Sequence, residues 1–305
     1  MMDRITGIDF VGLGFCSNDY IAILPEIPID RKVQMLEHLV QGGGPAATAT
    51  VAAARLGMKS ALISVTGDDD PGQRIIRDLE DENVHTGAMI VRENSSSPIA
   101  YCWIDQPTGK RSIAWTRGSL RELDPKELDM ELILQAKILH LDGHNPAAAI
   151  VAAREAHRHG VLVNLDAGTI RPGVEKIIEN TDILFTSEDF ARAWTGENDL
   201  EKALLQLVKN GAKVTGITMG NQGSIAFDDG RIIHCPASPV SPVVDTTGAG
   251  DVFHSALGIK YLEQGDLYES MRFASAVAGL KCRKPGGRTA IPTRREVDDF
   301  LAKHP

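Results

Sequence analysis

Asp245-Thr246-Thr247-Gly248-Ala249-Gly250-Asp251-Val252-Phe253-His254 decides how this chain is read. A polar turn runs directly into a helix there, with apolar residues recurring at Val252, Phe253, Ala256, Leu257 and Ile259. Gly248, Ala249 and Gly250 leave the backbone N–H groups of the turn uncovered, and a helix start has unpaired N–H groups to offer. The helix dipole adds positive charge at the same point. That combination is an anion site and suits a phosphate. Asp251 follows in the first turn, where a carboxylate can take the proton of a hydroxyl attacking phosphorus while the N–H groups hold the transferring charge. The tetrapeptide Gly-Ala-Gly-Asp alone also fits an ordinary loop with an N-capping Asp. The full run is far more specific.

Outward from this turn, strands and helices alternate. Ile8 to Gly14 reads as a buried strand, and residues 46–56 form an Ala-rich helix closed by Gly57. Residues 60–65 form a strand, followed by a helix to about Glu82. Later strands are expected at 138–141, 161–165, 183–185 and 214–219, with helices at 147–158, 173–179, 188–195 and 199–209. This spacing predicts βαβ units, hence an α/β fold in three layers with a mostly parallel central sheet. Segments 18–41 and 98–117 depart from it with short alternating runs, the second closed by a hairpin turn at Asp105 to Lys110. Together they predict a small antiparallel sheet outside the main one. With no internal repeat, linker or low-complexity tract, residues 1–305 read as one domain.

Composition is that of an ordinary soluble globular protein, with 43% hydrophobic and 24% charged residues. A net charge of −9 without basic runs argues against nucleic-acid or anionic-membrane partners. Any anionic substrate must be held by local donors. Cys16, Cys102, Cys235 and Cys282 stand singly, without zinc spacing, which predicts a reduced cytoplasm. Met1-Met2-Asp3-Arg4 shows no signal-peptide pattern, and no apolar run approaches membrane length.

Other candidate positions surround the presumed cleft. Gly42-Gly43-Gly44-Pro45 opens the first long helix, and its glycines allow close approach of backbone to a ligand; a plain strand–helix turn has the same pattern. Asp19 follows the first strand, at the end where open α/β sheets bind ligands, although Asx turns also place Asp there. His144 and Arg171 follow strands that end at the same side. Trp115 offers a flat face for a sugar ring or a nucleobase, or a packing surface between subunits. Thr218-Met219-Gly220-Asn221-Gln222-Gly223 ends a strand in a Gly-rich turn. No GxxxxGK[ST], HExxH or GxSxG occurs, and Gly12-Leu13-Gly14 is not completed to GxGxxG, so an NAD-dependent oxidoreductase lacks its fingerprint.

The 245–251 run resembles the C-terminal signature of the ribokinase-like (PfkB-type) carbohydrate kinases, and Gly43 to Gly57 resembles their N-terminal signature. The resemblance covers the whole chain and is strongest toward the sulfofructose kinase members, through residues 42–49, 251–254 and 272–288. It implies ATP-dependent phosphorylation of a primary hydroxyl of a small sugar or sugar derivative. Asp251 would be the base, and Gly248, Ala249 and Gly250 would hold the phosphoryl group. Asp19, Lys32, Gly43, Gly44, Thr48, Trp115, His144 and Arg171 would face the sugar, with the small sheet as a lid and a homodimer contact. Thr48 stands where the family usually has Asn. Lys32 matches a sulfonate-contacting Lys, while Trp115 and His144 replace that group's other donors. Ser187, Thr218, Gly220, Gly223, Thr246, Cys282 and Gly287 would line the ATP site. Ser187 and Phe190 replace the Asn and Glu of the family's Asn-x-x-Glu, leaving Glu188 to meet Mg²⁺ through water, or the nucleotide to hold it. Carbonyls of Asp245 and Thr247, with Cys282, Pro285 and Gly287, match positions that hold K⁺ or another monovalent cation in relatives. Arg288 would reach a phosphate or cap the 285–287 turn. A nucleoside kinase of the same fold, and a non-catalytic sugar- or nucleotide-binding protein, remain open.

Overall fold

The structure, a computed structural model, describes residues 7–108 and 111–304. The N-terminal tetrapeptide and the Gly109-Lys110 part of the expected hairpin turn lie outside the described residues. The chain runs β1 (Phe10–Leu13), β2 (Ser17–Leu24), β3 (Glu37–Gly43), α1 (Pro45–Arg55), β4 (Ser60–Ile63), β5 (Val65–Gly67), α2 (Asp70–Asp81), β6 (Val84–His85), β7 (Ile90–Arg92), β8 (Ile99–Asp105) and β9 (Arg111–Thr116). It continues α3 (Met130–Gln135), β10 (Ile138–Leu141), α4 (Pro146–Arg158), β11 (Leu162–Ala167), α5 (Val174–Ile178), β12 (Ile183–Ser187), α6 (Glu188–Thr195), α7 (Leu200–Leu207) and β13 (Val214–Thr218). It closes with β14 (Ser224–Asp228), β15 (Arg231–Cys235), α8 (Ala249–Gln264), α9 (Leu267–Lys281) and α10 (Arg294–Lys303).

Helix limits follow side-chain chemistry. Asp69, Ser187, Asp199, Asp266 and Thr293 accept from backbone N–H groups at the starts of α2, α6, α7, α9 and α10. Gly196 and Gly265, both left-handed, stop α6 and α8.

The main sheet has the order β15-β14-β13-β12-β11-β10-β1-β4-β6. Strands from β6 across to β13 are parallel, and the β14–β15 hairpin adds two antiparallel strands at one edge. β1, β4 and β10 are buried at every residue, because helices cover both faces. Phe10, Leu62, Ile138, Ile183 and Phe185 point to the layer of α1, α2, α8, α9 and α10. Val11, Leu13, Leu139, Leu141 and Leu165 point to the layer of α3, α4 and α5. The expected 60–65 strand divides at Ser64, whose hydroxyl donates to the Gly14 carbonyl at 2.7 Å, and its second half pairs with β7 in a separate two-stranded sheet.

The second sheet has the order β3-β2-β8-β9, with antiparallel outer pairings and a parallel β2–β8 pairing between them. One face buries Ile21, Ile23, Cys102 and Ile104. The other carries Tyr20 stacked on Tyr101 at 5.1 Å and Tyr101 on Trp103 at 6.5 Å. All four cysteines are buried and unpaired. No helix among the described residues is long and apolar enough to cross a membrane.

Candidate active site

The candidate residues come from the carboxyl ends of the parallel strands, the start of α8 and the second sheet. Gly248 stands before α8 with φ 76°, and an added Cβ would come within 2.9 Å of the Gly287 carbonyl oxygen. Only glycine fits that conformation and approach without strain. No side chain caps α8; the Ala249 N–H donates to the Thr246 carbonyl at 3.2 Å, which leaves the N–H groups of Gly250 and Asp251 at the helix start. The turn is held by Asp245, which is buried. Its Oδ1 accepts from the Thr247 N–H at 2.9 Å and hydroxyl at 2.7 Å, and its Oδ2 accepts from the Gly286 N–H at 2.8 Å. Turn 245–251 and loop 285–288 are therefore one unit.

Asp251 lies in the first turn of α8. Burial raises its pKa to about 7, reinforced by the negative charges of Asp166 and Asp142 and opposed by Lys281 and Arg288. Asp166, at the end of β11, is also raised to about 7, by burial first and then by Asp142. Its Oδ1 lies 3.3 Å from His254 Nε2, and burial holds that imidazole neutral by lowering its pKa to about 3. Asp142, after β10, is tied to backbone: it accepts from the N–H groups of Phe15, Ala46 and His144 at 2.8, 3.1 and 2.9 Å. Three acids thus converge, one immobilised and two sharing a proton-accepting range near neutrality.

Asp19 is on β2 itself, not in a loop after the first strand. It accepts from the Ser17 hydroxyl at 2.6 Å and lies against Gly43, where an added Cβ would be 2.0 Å from its Oδ2. Gly44 has φ 89° and touches the Phe15 carbonyl. Buried Arg288 spans this region: Nη2 donates to the Gly43 carbonyl at 2.8 Å and Nε to the Thr48 hydroxyl at 3.4 Å, while Nη1 has no partner. It braces the glycine turn. His144 stacks on Phe15 at 4.6 Å and accepts at Nδ1 from Arg117 at 3.0 Å. Burial lowers its pKa to about 4, with Arg171 and Arg117 adding to the effect. Trp115 meets Phe15 edge-on at 5.7 Å and remains 53% exposed. Lys32 is exposed, in the connection between β2 and β3.

Beyond the α8 turn is a cavity of about 260 Å³ lined by Thr218, Gly220, Gly223, Thr246, Ala249, Gly250 and Cys282, with Val240, Val243, Phe253 and Gly279 as an apolar wall. Two expected members stand outside it. Ser187 is occupied as the cap of α6 and donates to the Gly168 carbonyl at 3.2 Å. Gly287 packs against Gly248 instead. Glu188 pairs with Arg192 at 3.3 Å. Among the described residues no group of three or more His, Cys, Asp or Glu could hold a metal ion. Asp142, Asp166, Arg111 and Arg117 were missed. The two acids each directly follow or end a parallel strand, the signal that could have found them. Arg111, on β9, donates to the Thr246 hydroxyl at 2.6 Å and joins the second sheet to the turn before α8.

Residues 10–294 match the family described as pfkB family carbohydrate kinase, and the chain belongs to that family. Ribokinase of Bacillus subtilis (strain 168) is 28% identical over 294 residues, covering 95% of this chain and 98% of that protein. A nucleoside kinase of Methanothermobacter thermautotrophicus is 28% identical over 302 residues, covering 97% and 96%. The structure of Arabidopsis thaliana ribokinase complexed with ribose and ATP superposes with a TM-score of 0.85 at 26% identity, covering 97% of this chain and 99% of that one.

Proposed function

We propose that the chain, as a single domain, transfers the γ-phosphoryl group of ATP to a primary hydroxyl of a small sugar or sugar derivative. The observation that carries this reading is Asp251 itself: it directly follows Ala249 and Gly250, which line the 260 Å³ cavity, and it feels the charge of Asp142, which holds the backbone of Phe15 and His144. Adenine fits the apolar wall, and the phosphates reach the N–H groups of Gly248, Gly250 and Asp251. Asp19 and the glycine turn orient the sugar. Asp251, with a pKa near neutrality, accepts the proton of the attacking hydroxyl as the oxygen approaches phosphorus in line. The N–H groups and the dipole of α8 stabilise the charge of the transferring group without reorganising.

Mg²⁺, when bound with the nucleotide, neutralises phosphate charge; its small demand for protein ligands suits a site where Glu188 meets it through water. The second sheet closes over the sugar to exclude water, and its outer face of Tyr20, Tyr101 and Trp103 pairs two subunits, which sedimentation tests. The substrate is a ketose or aldonic-type derivative: Arg171 and Arg117 at the cleft favour a heavily hydroxylated or anionic acceptor. A nucleoside is the second reading, favoured by the aromatic faces of Phe15 and Trp115. ADP release from ATP with fructose, ribose, ketodeoxygluconate, sulfofructose and adenosine tests both readings. A sugar is expected to give the highest kcat/KM. Adenosine ahead by about tenfold or more, a difference of about 1.4 kcal/mol in transition-state stabilisation, replaces the sugar reading with the nucleoside one.

A further inference from the structure

The likeness to carbohydrate kinases implies a monovalent cation held by backbone carbonyls of the 245–247 turn and the 282–287 loop. Two of the carbonyls expected to hold it, those of Asp245 and Cys282, are already taken. The Asp245 carbonyl already accepts from the Lys281 ammonium at 3.0 Å. The Cys282 carbonyl accepts from two N–H groups, of Val244 at 2.8 Å and of Asp245 at 3.2 Å. Both Asp245 carboxylate oxygens are committed to Thr247 and Gly286. Lys281 itself has no exposed surface, at the end of α9. A second cation on the same carbonyls would sit within a few ångströms of that ammonium, with little water to screen the repulsion.

We infer that the Lys281 ammonium is the resident cation of the phosphate turn, so that this chain works without a bound monovalent metal. Burial lowers the pKa of Lys281 and Arg111 on the second sheet adds to that, while the negative charges of Asp245, Cys282 and Asp251 oppose it and favour the ammonium. An ammonium on the Asp245 carbonyl orients the peptides that lead to Gly248 and places a fixed positive charge beneath the developing phosphoryl charge. Lys281 is a positioning residue in this account: it touches the turn, not the reacting atoms.

The inference rests on the phosphotransfer reading, and the experiment separates the two. Wild-type protein is assayed for ADP release with tetramethylammonium as the only other cation, then with K⁺ or NH₄⁺ at equal ionic strength. The expected change is less than about twofold, and stimulation of about tenfold or more overturns the inference. Lys281→Met keeps the unbranched apolar stem, removes the terminal ammonium and with it the charge. Its rate is expected to fall about 10²-fold in tetramethylammonium and to recover by about tenfold or more in K⁺ or NH₄⁺. No response of a folded Lys281→Met to either ion shows that Lys281 only fills space, and the inference fails. Melting temperatures give a readout independent of turnover: K⁺ stabilises Lys281→Met above the tetramethylammonium control and leaves wild type unchanged, and the reverse pattern overturns the inference. If Lys281→Met does not fold, the wild-type cation response decides. If wild type phosphorylates none of the five acceptors, the kinase reading fails and the melting comparison still decides the cation.

Discussion

Replacing Asp251 by Asn separates what the carboxylate does for the reaction from what it costs the fold. A folded-state pKa of about 7 against an unfolded value of about 3.9 means that the ionised form is disfavoured in the native protein by at most about 4 kcal/mol. The sign follows from the direction of the shift. Below about pH 4 the group is protonated in both states and the penalty is absent; it grows as pH rises and is complete above about pH 7. Asn carries no charge at any pH, so Asp251→Asn should raise Tm at pH 8 by up to roughly 6 °C for a chain of this size and change it little near pH 4. Turnover should move oppositely, falling about 10²–10⁴-fold, the range for loss of a general base, with ATP still bound. The assays are ADP release with the preferred acceptor, calorimetric titration with ATP, and thermal melts at both pH values. Near-normal turnover would remove Asp251 as the base. Equal Tm values at pH 8 would show that its carboxylate is not held against its charge.

Four further outcomes follow from the geometry. Asp166→Asn removes a negative charge facing Asp251, so the acid limb of the kcat/KM profile should move to lower pH; an unmoved limb means the two carboxylates do not interact. Gly248→Ala puts a Cβ at φ 76° against the Gly287 carbonyl and should cost about 1–3 kcal/mol in denaturant unfolding, with loss of activity; wild-type stability would refute the account of the turn. Arg111→Ala frees the second sheet from Thr246, and hydrogen exchange in residues 99–116 should quicken without ligand; unchanged exchange means that this contact does not hold the sheet. Saturating acceptor should slow exchange in 18–41 and 98–117 of the wild-type protein, and peptides that do not respond would exclude a closing lid.

The parallel sheet was legible because its strands are short apolar runs separated by helices with marked ends. What escaped was mostly where period and burial disagree. β14 and β15 were not foreseen, although they meet at Asp229-Gly230, both with positive φ, a dipeptide that favours a tight hairpin. The split at Ser64 depends on a hydroxyl reaching Gly14, a contact between distant segments that no local pattern shows. At the candidate site, the turn into α8 was legible because glycine, the helix start and the acid are contiguous. Asp142, Asp166 and Lys281 were not singled out, since each has meaning only through the backbone groups or charges brought beside it. Ser187 shows the converse: its position after β12 was right, but its hydroxyl is occupied in capping α6.

Arg288 has a consequence for how the protein comes into being. Its bonds to Thr48 and Gly43 close loops of 240 and 245 residues, among the longest the topology allows. Loop 285–288 also seats the turn before α8 through Gly286 and Gly287. During synthesis, a chain extended only through α8 holds both glycine turns but lacks the segment that braces either one. Contacts this distant in sequence form late. The ability to grip a ligand should therefore arrive in one step, after the sheet is assembled, with partly made chains poor competitors for ATP or sugar.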